Sequence, residues 1–95
     1  MRVRWDPKAV DRLEAAGDYI ARDSLDAAAS VTTRILDAAD GLAAHPLLGR
    51  QGRVTSTREL VVPRTSYILV YRVRSQVVEV LTLQHAAQQW PESFE

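Results

Sequence analysis

The chain has no cysteine, which excludes disulfides and thiolate-held metals. Its two histidines, His45 and His85, stand far apart in the sequence, so no ligand spacing for a metal exists, and no cofactor motif is present. Apolar runs are short, and none approaches the roughly 18 residues that a membrane-crossing helix needs. The N-terminal stretch "MRVRWDPKAV" lacks the apolar centre of a secretory signal. The expectation is a cytoplasmic protein with no membrane contact. Net charge is also missing: twelve basic residues balance twelve acidic ones. That balance argues against direct nucleic-acid binding, which needs many uncompensated cations.

What charge there is lies unevenly. Residues 1–49 carry a balance of −2, residues 50–74 a balance of +5, and residues 75–95 a balance of −3. The middle third holds Arg50, Arg53, Arg58, Arg64, Arg72 and Arg74 against the single acid Glu59. A localised contact with an anionic partner is therefore compatible with the neutral total. The 95 residues make one domain, 1–95.

Alternation in "MRVRW" predicts a short strand. Asp6-Pro7 then reads as a helix start, with a capping carboxylate followed by a residue that lacks the surplus N–H. Val10, Leu13, Gly17 and Ile20 form one apolar stripe, so a helix should run to about Arg22. Asp23 or Ser24 caps a second helix with Ala28, Thr32, Ile35, Ala39 and Leu42 on its inner face, and His45-Pro46 stops it. The two form an antiparallel hairpin. Residues 46–56 read as a loop. Three strands follow, 57–62, 67–73 and 77–84, joined by short turns as an antiparallel meander. The N-terminal strand is placed beside the last of them.

The middle strand, "YILVYRV", is apolar on both faces: Tyr67, Leu69, Tyr71 and Val73 on one, Ile68 and Val70 on the other. The last strand places Leu81 and Leu83 on one face, Val78 and Val80 on the other. One helical hairpin covers one face of a sheet. The second face is expected to be clasped by another polypeptide or left exposed.

The pieces "GRQGRV" (Gly49 to Val54), "TRELVV" (Thr57 to Val62), "YILVYRV" (Tyr67 to Val73) and "VVEVLTLQHAAQQWP" (Val77 to Pro91) occur in this order over nearly the whole chain. Together they resemble the RelE/ParE superfamily of type II toxin–antitoxin toxins. The resemblance implies an α+β fold of order β-α-α-β-β-β, with the hairpin on one face of the sheet. It also implies a cognate antitoxin from the same operon, usually a ribbon-helix-helix DNA-binding protein whose C-terminal segment wraps the toxin.

Superfamily members differ in target. RelE-like toxins cut messenger RNA in the ribosome; ParE-like toxins inhibit DNA gyrase. Cleavage through the 2′-hydroxyl needs a base, an acid and cations on the phosphate. Past the last strand only His85 titrates near neutral pH, and no Tyr, Arg or Lys follows it. Ile68 stands where RelE-like strands resemble "Y-R-L-V-Y" and carry a cation. Arg58, Arg64 and His85 are the remaining candidates if the chain is an RNase. The C-terminal "H-x-x-x-Q-W-P" resembles ParE-like members. The expectation is a ParE-like inhibitor with DNA gyrase as target and no chemistry of its own. The alternatives are a ribosome-dependent endoribonuclease and a non-toxic antitoxin-binding relative.

Candidate contact residues for antitoxin or target are Arg50, Arg53, Arg58, Arg64, Tyr71, His85 and Trp90, and each has a plainer reading. Arg58 and Arg64 are solvated or paired with Glu59 and Glu79. The Gly49–Arg53 loop is a flexible connector. Tyr67 and Tyr71 are packing residues. His85 bonds to backbone and positions the tail, and Trp90 folds onto the core and donates its indole N–H.

Overall fold

The structure is a computed structural model that describes residues 1–94. Its elements are β1 (Arg2–Trp5), α1 (Pro7–Ala21), α2 (Leu25–Gly41), β2 (Arg50–Gln51), β3 (Arg58–Val61), β4 (Tyr67–Arg74) and β5 (Val77–His85). Asp6 caps α1, its Oδ1 accepting from Lys8 N at 3.0 Å, with Pro7 at the first helical position. Ser24 caps α2 through Ala27 N at 3.0 Å. The second helix stops at Gly41, short of His45-Pro46. The chain turns there, and Leu42 drops, fully buried, against Tyr71 and Val78.

One five-stranded sheet runs in the order β1-β5-β4-β3-β2. β1 lies parallel to β5, as placed from the sequence, and the meander pairs antiparallel. Inside the stretch expected to be loop, Arg50 and Gln51 pair with Glu59 and Arg58 and add a short edge strand. Two residues are too few to show a period of two. The β4–β5 turn is two residues, Ser75 and Gln76, both with positive φ (52° and 64°). Two positive φ angles define the turn type whose twist matches a hairpin.

That register has a defect. Val70 faces Thr82 and Tyr71 faces Val80, so Leu81 is an extra residue between them. A bulge of this kind reverses the alternation beyond it. Val80 and Leu83 therefore enter the same helix-side core with Ala9, Ile35, Ala39, Val62 and Leu69. The expectation that Leu81 and Leu83 share a face is corrected.

The second sheet face is also not open. Ile68 is 6% exposed, Val70 0% and Leu81 7%, with Thr82 and Gln84 buried beside them. The 52–57 loop and the C-terminal tail close it. Phe94 and Val54 gather around Leu81, Gln84 Nε2 donates to Gln89 O at 3.3 Å, and Trp90 lies under Arg53. A face read as needing another polypeptide is covered by the chain's own last residues. Those residues carry no periodic pattern from which such a cover is readable.

Candidate functional site

The segment between α2 and β3 is pinned, not flexible. Tyr71 is fully buried. Its hydroxyl accepts from Gly49 N at 2.9 Å and donates to Pro46 O at 2.8 Å. Burial pushes this phenol up, offset in part by the Gly49 N–H and the Arg58 charge. Arg58 donates to Gly49 O at 2.8 Å and Leu47 O at 3.4 Å. Two candidate contact residues thus hold backbone. Tyr71 has no surface to offer a partner, and Arg58 bonds carbonyls in place of Glu59 or Glu79.

Arg50 and Arg53 converge on Glu59, which is 3% exposed. Arg50 reaches its Oε1 at 3.1 Å, Arg53 Nε its Oε2 at 3.2 Å, and the Arg53 backbone N–H the same oxygen at 2.7 Å. Burial alone pushes the Glu59 carboxyl up, but the Arg53 N–H and the two guanidiniums outweigh it and hold the group below its ordinary value. Glu79 is a second hub, on the same sheet face. Arg72 Nε donates to it at 2.9 Å, Arg4 bonds its other oxygen, and Arg74 lies at 3.9 Å. The Arg72 hydrogen bond holds this carboxyl low against burial, with help from Arg4. The Glu79 cluster was missed from the sequence. Its signal was there: a two-residue turn after Arg74 sets Arg72 opposite Glu79.

Trp90 folds back as expected. The Arg53 guanidinium stacks on its ring, 3.7 Å from the centroid, a cation–π contact. The expected indole hydrogen bond is absent: among the described residues, Nε1 is buried without an acceptor.

His85 lies on the helix side, at the end of β5. Its ring meets Tyr67 edge-to-face at 5.3 Å. Its Nδ1 accepts from Ala87 N at 3.2 Å, and its own N–H donates to Gln88 Oε1 at 2.7 Å. That geometry assigns the ring proton to Nε2. Burial, together with the Tyr19 phenol, pushes the Tyr67 hydroxyl up, so it is no base near neutral pH. Arg64 is exposed on the β3–β4 turn and shares a hollow with Tyr19, Tyr67 and His85. Of the three RNase candidates, Arg64 and His85 meet and Arg58 stands elsewhere. No group of three or more His, Asp or Glu among the described residues could hold a metal.

A mixed sheet with a helical hairpin on one face, an N-terminal strand added parallel to the last and two glutamates tied down by arginines defines a small α+β domain of the RelE/ParE type. Residues 3–90 match the model of the ParE toxin of the type II toxin–antitoxin system, parDE, and the chain belongs to that family. It is 52% identical over 91 residues to the candidate toxin Y4kP of Sinorhizobium fredii, covering 96% of this chain and 94% of that one. It is 36% identical over 86 residues to Toxin RelE2 of Caulobacter vibrioides, covering 90% and 96%. In fold it is similar to a protein of the chromosomal ParDE system of P. aeruginosa, with TM-score 0.80, 24% identity and coverage of 90% and 95%. It is also similar to one from the RelBE2 toxin–antitoxin complex of Mycobacterium tuberculosis, with TM-score 0.63, 22% identity and coverage of 88% and 95%. The chain is a toxin of the type II toxin–antitoxin class.

Proposed function

We propose that this toxin acts by binding, as a ParE-like inhibitor of DNA gyrase in the cytoplasm, and is neutralised by a cognate antitoxin with a ribbon-helix-helix DNA-binding part. One observation carries the preference for binding over cleavage: the groups an RNase needs do not converge. The acids of the sheet face opposite the helices, Glu59 and Glu79, are each held ionised by guanidiniums. A base or acid must change protonation during the reaction, and these resist it. Arg58 is tied to backbone carbonyls on the other side. His85 shares hollows with two arginines, Arg64 and Arg12, and with a tyrosine whose proton is held more tightly than usual. Among the described residues, a phosphate transition state there would find cations but no acid–base pair.

The relative named RelE2 favours keeping messenger-RNA cleavage as the second reading. The deciding experiment sets purified toxin against gyrase supercoiling of plasmid DNA, and induces it in cells followed by mapping of message ends. Trapped cleavage complexes or lost supercoiling with intact messages support gyrase inhibition. Cut messages with unaffected gyrase refute it. Growth without arrest, with a stable antitoxin complex, identifies a non-toxic relative. Antitoxin binding is tested by co-purification with the product of the neighbouring reading frame.

A further inference from the structure

Most arginines of this chain are already engaged by Glu59, by Glu79 or by backbone carbonyls. Arg64 is not one of them. It stands third in the β3–β4 turn from Val62 to Thr65, which Thr65 N closes on Val62 O at 3.2 Å. Pro63 is second in that turn, and Arg64 has φ 61°. This is the pattern of a type II turn, whose third place favours glycine or asparagine. An arginine there carries a strain that glycine would not. Strain alone marks no site, because Ser56, Ser75 and Gln76 share it. What sets Arg64 apart is the hollow that it lines.

Two hollows of about 350 Å³ each adjoin here, sharing Tyr19, Tyr67 and His85. Small-molecule sites occupy about 300–1,000 Å³. Neither lining contains an aspartate or glutamate, in a chain with twelve of them. The polar groups on offer are donors. Arg64 lines one hollow and Arg12 the other. His85 Nδ1 already accepts from Ala87 N, so its Nε2 carries the proton. Gln88 Oε1 is taken by His85 N at 2.7 Å and by Arg12 at 3.4 Å, which leaves the Gln88 amide N–H groups. The Tyr67 hydroxyl, pushed up by burial and the Tyr19 phenol, keeps its proton at neutral pH. Ala16 and Leu83 give one hollow an apolar floor, and Ile20 and Val31 the other. Tyr19, 66% exposed, belongs to both. Such a lining lacks acceptors and negative charge, and it presents an open aromatic face.

We propose that these joined hollows bind a small aromatic phosphomonoester, of nucleoside monophosphate chemistry, with its phosphate on Arg64 and His85 Nε2–H and its ring stacked on Tyr19 above Ala16 and Leu83. Each part of such a ligand supplies what the lining lacks. The phosphate brings acceptor oxygens and negative charge, and its bonds to a guanidinium are charge-assisted. The ring covers the tyrosine face, a contact that any base can make. Arg12 and the Gln88 amide are left for the polar edge of the ring. Among the described residues the lining holds no acid–base pair, so the ligand is bound and not cleaved. A polynucleotide fits less well, because two cations on a neutral protein release few counterions. This site stands or falls separately from the cellular target assigned above.

The test titrates the full ¹⁵N-labelled chain with adenosine 5′-monophosphate, adenosine, inorganic phosphate and a short oligoadenylate. The expected result is saturable amide shifts at Tyr19, Arg64, Tyr67 and His85 with the monophosphate. Adenosine and phosphate alone should each bind at least about tenfold more weakly. Arg64→Gln should weaken monophosphate binding about tenfold, Arg64→Lys less, and Tyr19→Ala about fivefold. Arg2→Gln removes an exposed cation of β1 and should leave binding unchanged. Arg64→Gly separates the site from the scaffold. It should lose binding while the melting temperature holds or rises, because glycine takes φ 61° without strain. Five results would overturn the proposal: no shifts at millimolar monophosphate, adenosine or phosphate binding as tightly as the monophosphate, tighter binding of the oligoadenylate, shifts confined to the Glu79 face, or full binding by Arg64→Gly.

Discussion

Replacing Tyr71 by phenylalanine removes one oxygen and keeps the packed ring. That oxygen is the acceptor for Gly49 N and the donor to Pro46 O. Gly49 is buried, so its N–H is left without a partner and without water. An orphaned buried polar group costs about 1–3 kcal/mol. We take about 2 kcal/mol, a large share of the roughly 5–15 kcal/mol that stabilises a domain. For a chain of this size that lowers the melting temperature by about 8–16 °C. The urea midpoint falls by about 1–2 M at a slope of about 1–2 kcal/mol/M.

The effect should be local as well as global. Arg58 still bonds Leu47 and Gly49 carbonyls, but the other anchor of the 46–49 segment is gone. Amide exchange at Gly49 and Arg53 should quicken more than at Leu69 or Val80. Gly49→Ala attacks the same joint from the other side. A Cβ there would stand 2.8 Å from Tyr71 Cε1 and hydroxyl and 2.9 Å from Glu59 O. Neither the buried ring nor the strand backbone has room to move, and such overpacking costs about 1–3 kcal/mol. Because both changes break one contact, the double variant should lose less than their sum. A Phe variant within about 0.5 kcal/mol of the parent, at unchanged slope, would show that Tyr71 does not anchor this segment.

Gln76→Gly should stabilise by up to about 1 kcal/mol, since Gln76 sits at φ 64° in the β4–β5 turn; no gain in urea midpoint counts against that turn type. Glu59 and Glu79 are both held below the ordinary value of 4.5. Their contribution is therefore complete above that value and drains as pH falls through it toward the lowered native values. Glu59→Gln should weaken the protein at pH 7 and flatten the loss between pH 5 and about 3; an unchanged slope contradicts the pairing. Truncation after Gln88 removes the tail that lies beside Leu81, Gln84 and Arg53, and should raise binding of a hydrophobic dye and lower the melting temperature. A truncated chain that binds no more dye than the parent would mean that the tail covers nothing. The double variant Glu59→Gln, Glu79→Gln unmasks five arginines, so it should bind a 20-nucleotide strand with steep salt dependence where the parent binds weakly; parity with the parent would show that those charges were never masked.

The parts of the fold written in local chemistry were legible. Asp6-Pro7 and Ser24 start the helices where their side chains reach the first free N–H groups. The meander follows from short turns between apolar runs. What was not legible depends on contacts distant in sequence. The extra residue at Leu81 is invisible in an unbroken run of β-formers, yet it decides which face Leu83 joins. The tail has no period, so nothing local says that Trp90 and Phe94 return to cover the sheet. Site residues fared similarly. His85 and Arg64 were singled out by type and do share a hollow. Tyr19, which lines it too, and Arg12, which lines the adjoining hollow, look like ordinary helix-surface residues until α1 is laid against β5.

The basic middle of the sequence illustrates why counting charge along a chain overstates the field it makes. A balance of +5 over residues 50–74 invites the reading of an anionic partner on that segment. Folding brings Glu79 from outside the segment to Arg72 and Arg74, places Glu59 between Arg50 and Arg53, and turns Arg58 inward to carbonyls. Each buried carboxylate would be costly alone and is stable only with its cations present. Those arginines are therefore structural, and a partner that took them would have to replace them. Among the described residues Arg64 is the arginine of the segment outside these contacts, and with Arg12 it faces the opposite side of the sheet, toward α1. Which cations the fold leaves outside carboxylate pairs thus cannot be counted along the chain: Arg64 and Arg12 share the face toward α1, which the linear charge pattern does not indicate.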